Sequence, residues 1–95
     1  MHYCIAYDIR CNRLRRRVVK WCKQAGLRRM QRSVFAGRVP APLLRELKTQ
    51  VTAELPDHDR FCIIPLDKNA VNNIVLLGDD EVQNLLEQPI AHLYF

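Results

Sequence analysis

Residues 2–9 read HYCIAYDI, and this stretch is the starting point for predicting the fold. Large aromatic or branched side chains alternate in it with small or acidic ones. One side of the alternation carries Tyr3, Ile5, Tyr7 and Ile9, and the other carries Cys4, Ala6 and Asp8. A period of two with aromatic and β-branched residues is typical of a strand that has one face on a core.

A basic helix is predicted to follow this strand. Asn12 is a suitable N-cap residue. An apolar stripe at helical spacing continues the pattern with Leu14, Val18, Cys22 and Ala25. Gly26 is expected at the position just after the helix, where glycine commonly ends one.

The remaining chain predicts three or four strands and a second helix. Residues 27–39 look extended, with broken alternation at 31–33 that indicates a bulge or a tight reversal. Pro42 suits the first turn of a helix that continues to the break at Pro56. Residues 60–66 form an apolar strand whose Pro65 belongs at a strand end or a sheet edge. Residues 73–77, NIVLL, predict a further strand before Gly78.

This element order fits an α+β fold, a ferredoxin-like βαββαβ sandwich over residues 1–78 with an extra C-terminal strand. Both helices would cover one face of the sheet, so the other face would be bare in a single chain. A symmetric homodimer is therefore expected. Residues 79–95 are interpreted as a C-terminal extension that packs on the partner subunit and covers an edge there.

The positive charge of the chain is concentrated in its first half. The net charge is +5, yet no acidic residue lies between Asp8 and Glu46, and twelve of the fifteen basic residues do. A block of one sign attracts polyanions, which favours nucleic acid over the alternative of a merely solvated basic helix. The predicted nucleic-acid-binding residues are Arg13, Arg15, Arg16, Arg17, Lys20, Arg28, Arg29 and Arg32.

The four cysteines do not indicate a disulfide framework or a zinc site. No CxxC pair occurs, and Cys4, Cys22 and Cys62 lie within apolar patterns, so buried reduced thiols and a cytoplasmic protein are expected. The three histidines show no ligand spacing, and no cofactor-binding residues are predicted. Since no run of about 18 apolar residues exists, no membrane association is expected.

Asp8 is the candidate catalytic and metal-binding residue, because it is the only carboxylate in the first 45 residues. Mg²⁺ or Mn²⁺ takes oxygen ligands and typically needs only one or two protein carboxylates. Two copies related by a two-fold axis would supply a pair of Asp8 side chains to one shared ion. The alternative is that Asp8 caps the following turn or pairs with Arg10 or Arg13.

Two segments carry a family resemblance: YCIAYDI at residues 3–9 and LRRRVVKWCKQAGLRRMQRSVFAG at residues 14–37. Together they resemble the CRISPR-associated protein two family. The resemblance implies a ferredoxin-like homodimer, a divalent metal between the two copies of Asp8, and metal-dependent endonuclease activity reported for some members. It also implies an adaptor role in CRISPR adaptation, in which the dimer binds double-stranded DNA and bridges dimers of the CRISPR integrase.

The resemblance also assigns individual positions. Asp8 corresponds to the metal-binding acid, and Tyr7 lies beside it. Arg15, Arg17 and Arg29 fall on active-site or nucleic-acid-binding arginines, and Ser33 and Phe35 on neighbours of the dimer site. Many members carry further acids where this chain has Arg10, Cys11 and Asn12, which favours the adaptor role over the nuclease role.

Two other functions are kept as alternatives. One is a metal-dependent endoribonuclease of the toxin type, acting on RNA through the Asp8 pair. The other is a module for single-stranded RNA, which would need aromatic side chains along one strand for base stacking. The pattern of aromatic residues expected for such a module is absent from this sequence.

Overall fold

The computed structural model describes residues 1–78, and the predicted C-terminal extension lies outside them. The elements in chain order are β1 (His2–Asp8), α1 (Asn12–Gln24), β2 (Arg28–Gln31), β3 (Val34–Arg38), α2 (Ala41–Glu54), β4 (Arg60–Leu66) and α3 (Lys68–Asn72). The first six follow the predicted βαββαβ order. The four strands form one antiparallel sheet in the order β2-β3-β1-β4. The predicted ferredoxin-like α+β fold is confirmed.

The core lies between the sheet and the two long helices. In the two central strands, Ile5 lies opposite Phe35, and both side chains are fully buried. Val18 of α1 and Leu47 of α2 belong to the same cluster. Since successive side chains of a strand point to opposite faces, this packing fixes which β1 residues face the helices.

Both ends of α1 are defined by capping. The N-cap residue is Cys11, so the prediction of Asn12 as the cap is wrong, and Asn12 is the first helical residue. At the other end, Gly26 has a φ of +93° and donates from its amide to the Lys23 carbonyl at 3.0 Å. Leu27 donates to the Cys22 carbonyl, also at 3.0 Å. These two bonds are the paired pattern that ends helices at a left-handed glycine, as predicted.

The hairpin between β2 and β3 carries the irregularity that the sequence predicted. Arg29 lies opposite Phe35 and Gln31 opposite Val34, with a register shift between Arg29 and Gln31. β4 is an edge strand that pairs with β1 alone, which is compatible with the missing amide of Pro65.

The face of the sheet away from the helices is partly covered, which differs from the bare face that we predicted. The segment NIVLL, predicted as a strand, forms none in this single chain. Instead, Ile74 and Leu76 pack with Val71 of α3 against Met30 and Ala36 of the sheet. α3 is short, and it begins where the Asp67 carboxylate accepts a hydrogen bond from the Ala70 amide at 2.7 Å.

The cysteines are free thiols, but they are not uniformly buried. Cys22 is buried and Cys4 is intermediate, whereas Cys11 and Cys62 are exposed. The prediction that Cys62 is buried is therefore wrong, because β4 is an edge strand and Cys62 faces away from the helices. Over residues 1–78, no helix has the length and apolar character needed to cross a bilayer.

Candidate nucleic-acid interface

Tyr7 and Asp8 end β1 and lie on opposite faces of the sheet. The Tyr7 ring is buried on the helix side, stacked near Phe35 and Phe61 with ring centroids 6.3 and 6.1 Å apart. Asp8 is exposed, and the alternation of the strand directs it to the other face. The candidate acid and the candidate arginines beside Tyr7 are therefore separated by the sheet.

A cavity of about 580 Å³ lies on the Tyr7 side, between α1 and the turn that joins β2 to β3. Its lining is dominated by four arginines, two from the helix and two from the hairpin. The lining residues are Arg15, Arg16, Arg29, Arg32, Tyr7, Ser33, Asn12 and Val19. No aspartate or glutamate is among them. Four of the eight predicted nucleic-acid-binding residues are thus brought together at one site.

Two of these arginines are held in place by backbone carbonyl oxygens. Arg15 donates from Nη1 to the Ile9 carbonyl at 3.1 Å. Arg29 donates from Nε and Nη2 to the Arg32 carbonyl at 3.2 and 2.7 Å, and its guanidinium lies 5.8 Å from the centre of the Phe35 ring. Carbonyl oxygens fix a guanidinium without neutralising it, so the positive charge remains available to a ligand.

Tyr7 fixes the turn that completes the cavity. Its hydroxyl donates to the Arg32 carbonyl at 3.2 Å, and its backbone amide donates to the Ser33 carbonyl at 3.1 Å. Burial raises the pKa of the Tyr7 phenol, an effect that Arg29 and Arg15 oppose by stabilising the phenolate. The raised pKa keeps the hydroxyl protonated and able to donate at neutral pH.

The start of α1 adds to the positive field. Its first turn contains no acidic residue, and the free amides of a helix N-terminus favour negative charge. The amides of Leu14 and Arg13, followed by the charges of Arg13 and Arg15, lower the pKa of the exposed Cys11 thiol. This shift is a local sign that anions are stabilised beside the cavity.

The other predicted nucleic-acid-binding residues lie outside the cavity lining. Arg13 and Lys20 are exposed on α1, and Arg28 is exposed on β2. Arg17 lies on the side of α1 that faces α2, where its Nη1 pairs with Glu54 Oε1 at 2.7 Å and its guanidinium lies 5.3 Å from the Trp21 ring centre. A carboxylate therefore counters the charge of Arg17.

The Asp8 carboxylate has no hydrogen-bond or ion-pair partner among residues 1–78. The alternative role of Asp8, as a cap or as a partner of Arg10 or Arg13, is wrong. The N-cap is Cys11, and neither ion pair forms within residues 1–78. Arg60, which lies opposite Asp8 in the sheet, donates instead to the Asp57 and Asp59 carbonyls.

One chain does not assemble a metal site from the residues described. No group of three or more His, Cys, Asp or Glu side chains with ligand geometry occurs in residues 1–78. A single exposed carboxylate is one ligand, and Mg²⁺ commonly takes only one or two from protein. Asp8 supplies one such ligand, so the other ligands of an ion bound here would come from outside residues 1–78 of this chain.

The two remaining predicted residues lie on the cavity side of the sheet. Ser33 lines the cavity, whereas Phe35 is fully buried beneath it and supports Arg29. Asn12 was predicted only as a cap, although it also lines the cavity.

Sequence reasoning missed Asp59, which is 4% exposed. Its Oδ1 accepts a hydrogen bond from the Arg10 amide at 3.4 Å, and its Oδ2 has no hydrogen-bond partner. Asp59 thereby ties the start of β4 to the segment that follows Asp8.

Comparison with known proteins gives a consistent assignment. The family model described as CRISPR associated protein Cas2 matches residues 1–74. A protein of Pyrobaculum aerophilum named CRISPR-associated endoribonuclease Cas2 2 is 32% identical over 79 residues, which cover 82% of this chain and 87% of that protein. The matched region contains every strand and helix described above.

Proposed function

The chain belongs to the CRISPR associated protein Cas2 family, and from that premise we propose that it acts in CRISPR adaptation as a homodimeric adaptor that binds duplex DNA and bridges dimers of the CRISPR integrase. The observation that carries DNA binding is the carboxylate-free block of exposed cations on α1 and the β2–β3 hairpin. A second candidate function is the cleavage of RNA.

The outer face of α1 supplies a row of charges suited to a phosphate backbone. Arg13, Arg16, Lys20 and Lys23 are exposed at spacings of three and four residues, which places them on one side of the helix. The row extends over about 15 Å of helix at 1.5 Å per residue. Contacts of this kind go to phosphates and not to base edges, so binding is strong at low salt and nearly independent of sequence.

Exposed apolar residues support the homodimer. Ile64 is 42% exposed and lies opposite Cys4, on the sheet face away from the helices. Val75 and Leu77 follow α3 and are 75% and 87% exposed. Two copies that meet through these residues bury apolar surface on both sides of a two-fold axis, as self-complementary interfaces do.

The same symmetry offers a place for a divalent ion. The Asp8 carboxylates of two subunits would hold one Mg²⁺ or Mn²⁺, with water or phosphate oxygens as the other ligands. Bound there, the ion would supply positive charge to a phosphodiester and lower the pKa of a bound water.

The second candidate function is a metal-dependent endoribonuclease. It is favoured by the name of the Pyrobaculum relative and by the exposed, unpartnered Asp8 carboxylate. In that case the cationic surface would orient an RNA strand across the Asp8 pair.

The test of the adaptor function is a salt titration of duplex binding by the full chain. Arg13→Ala combined with Lys20→Ala is compared with Arg45→Ala combined with Lys48→Ala, an equal charge loss on the exposed side of α2. We expect the α1 variant to lose affinity and to lower the slope of log K against log salt by about one per lost phosphate contact. Equal slopes for both variants and the unmodified chain would exclude the α1 face as the DNA-binding surface.

A further inference from the structure

The arginine cavity shares Arg16 with the row of cations on α1 but differs from that row in shape. The row is convex and can follow a continuous strand, whereas the cavity is a pocket walled by Tyr7, Val19 and the β2–β3 turn. A continuous strand must enter and leave its site, but a pocket accepts a group at the end of a molecule. This difference suggests that the two surfaces recognise different phosphate groups.

The charge of the pocket matches a phosphate monoester better than a diester. Four guanidinium groups line it, and no carboxylate of residues 1–78 does; the carboxylate of Asp8, the nearest acid in sequence, points to the opposite face of the sheet. A monoester carries up to two negative charges near pH 7, and a diester carries one. The second negative charge strengthens binding most where several arginines converge.

The donors are arranged before a ligand arrives. Arg29 uses Nε and Nη2 on the Arg32 carbonyl, and Arg15 uses Nη1 on the Ile9 carbonyl, so both retain N–H groups for an anion. Fixed guanidinium groups lose less conformational freedom on binding, which improves affinity. The side chains of Arg16 and Arg32 also line the cavity and are exposed.

The size of the pocket indicates that more than a phosphate enters. Its volume of about 580 Å³ is within the range of roughly 300–1,000 Å³ that is usual for small-molecule sites. Ser33 and Asn12 add a hydroxyl and an amide, and Val19 adds an apolar wall. These groups suit a sugar and a base attached to the phosphate.

We propose that this cavity binds a nucleotide through its terminal phosphate monoester, which belongs either to the phosphorylated end of a nucleic-acid strand or to a free mononucleotide. The proposal deepens the proposed function, on which its strand-end form rests: the α1 row holds the duplex along its length, and the cavity recognises where a strand ends.

The experiment compares duplexes that differ only at their ends. Binding of the full chain is measured with duplexes carrying 5′-phosphate, 3′-phosphate or only hydroxyl ends, and separately with adenosine 5′-monophosphate and adenosine. The test variant is Arg16→Ala with Arg32→Ala, and the control is again Arg45→Ala with Lys48→Ala. Replacing the Arg32 side chain leaves its backbone carbonyl, so the bonds from Tyr7 and Arg29 persist and the turn is preserved. Circular dichroism verifies the fold of each variant.

We expect one phosphorylated duplex to bind about tenfold or more tightly than the hydroxyl duplex, since the terminal phosphate adds charge-assisted hydrogen bonds to the arginines. The preference should disappear in the test variant and persist in the control. Adenosine monophosphate binding that is lost in the test variant, without any end preference, would identify the free nucleotide as the source. The absence of both effects overturns the proposal. Duplex binding without end preference leaves the adaptor function standing, and no duplex binding at all contradicts that function instead.

Discussion

Tyr7 and Arg29 share one acceptor, because the Tyr7 hydroxyl and two N–H groups of Arg29 all donate to the backbone carbonyl of Arg32. This shared oxygen connects the end of β1 to the β2–β3 turn. Tyr7 therefore acts on the cavity by positioning Arg29 and the turn, and its hydroxyl need not contact a nucleic acid to affect binding.

Tyr7→Phe is expected to lower the free energy of unfolding by about 0.5–1.5 kcal/mol, the usual net value of one hydrogen bond. The loss is modest because the Arg32 carbonyl keeps its bonds from Arg29. Urea unfolding measures the effect, with Tyr3→Phe as the matched control on the same strand. A Tyr7→Phe protein with unchanged stability and unchanged end preference would show that the shared acceptor has no positioning role.

Cys11 and Cys22 should react with iodoacetamide in very different pH ranges. The helix amides and neighbouring arginines lower the pKa of Cys11, so its thiolate forms, and its alkylation rate rises, at lower pH than for the same residue in the urea-unfolded chain. Burial raises the pKa of Cys22 to about 12, so it should stay unmodified until the protein unfolds. Mass spectrometry of tryptic peptides across a pH series measures both rates. Identical Cys11 profiles in folded and unfolded protein would contradict the proposed positive field.

Asp8→Asn distinguishes the proposed nuclease activity from the proposed adaptor function. The substitution removes the negative charge that would hold a divalent ion, and Asp8 lies on the sheet face away from the arginine cavity. Any RNA cleavage that requires Mg²⁺ or Mn²⁺ and stops with a chelator should therefore be lost, whereas duplex binding should persist. Asp57→Asn, at an exposed position before β4, is the control. Cleavage that survives in Asp8→Asn must come from another site or another protein.

Ile64→Glu tests the dimer. A charge at this half-exposed position is tolerated in a single subunit but opposes apolar contact with a second one. We expect the dissociation constant of the dimer, measured by analytical ultracentrifugation, to increase about tenfold or more, which corresponds to about 1.4 kcal/mol. Thr52→Glu on the exposed side of α2 should leave the dimer intact. A native chain that sediments as a monomer at micromolar concentration would refute the homodimer itself.

The parts of the fold that depend on local pattern were predictable from the sequence. The alternation around Ile5, the glycine at 26 and the proline at 65 each limit the backbone directly, and the structure places all three as expected. The error at Asn12 arose because Cys11 precedes it by one residue and the capping preference does not resolve one position. Residues 74–77 have the composition of a strand, but in this chain they pack on the sheet face and gain no neighbouring strand.

The candidate site was predictable in composition but not in arrangement. Its excess of arginine is visible in the sequence, yet only the packing of α1 beside the hairpin selects Arg15, Arg16, Arg29 and Arg32. The ion pair of Arg17 with Glu54 depends on the approach of α1 to α2, which joins residues far apart in the chain. The burial of Asp59 depends in the same way on tertiary packing.

Tyr7 and Asp8 are neighbours on opposite faces of the sheet. The function of this protein is therefore sensitive to the number of residues in β1 as well as to their type. An insertion or deletion in β1 that shifts the pairing register of Tyr7 and Asp8 by one residue would exchange the two directions. A carboxylate would then enter the arginine cavity and neutralise part of it, while a phenol would replace the acid on the other face. Functional relatives should therefore tolerate many substitutions in this strand but hardly any change in its residue count.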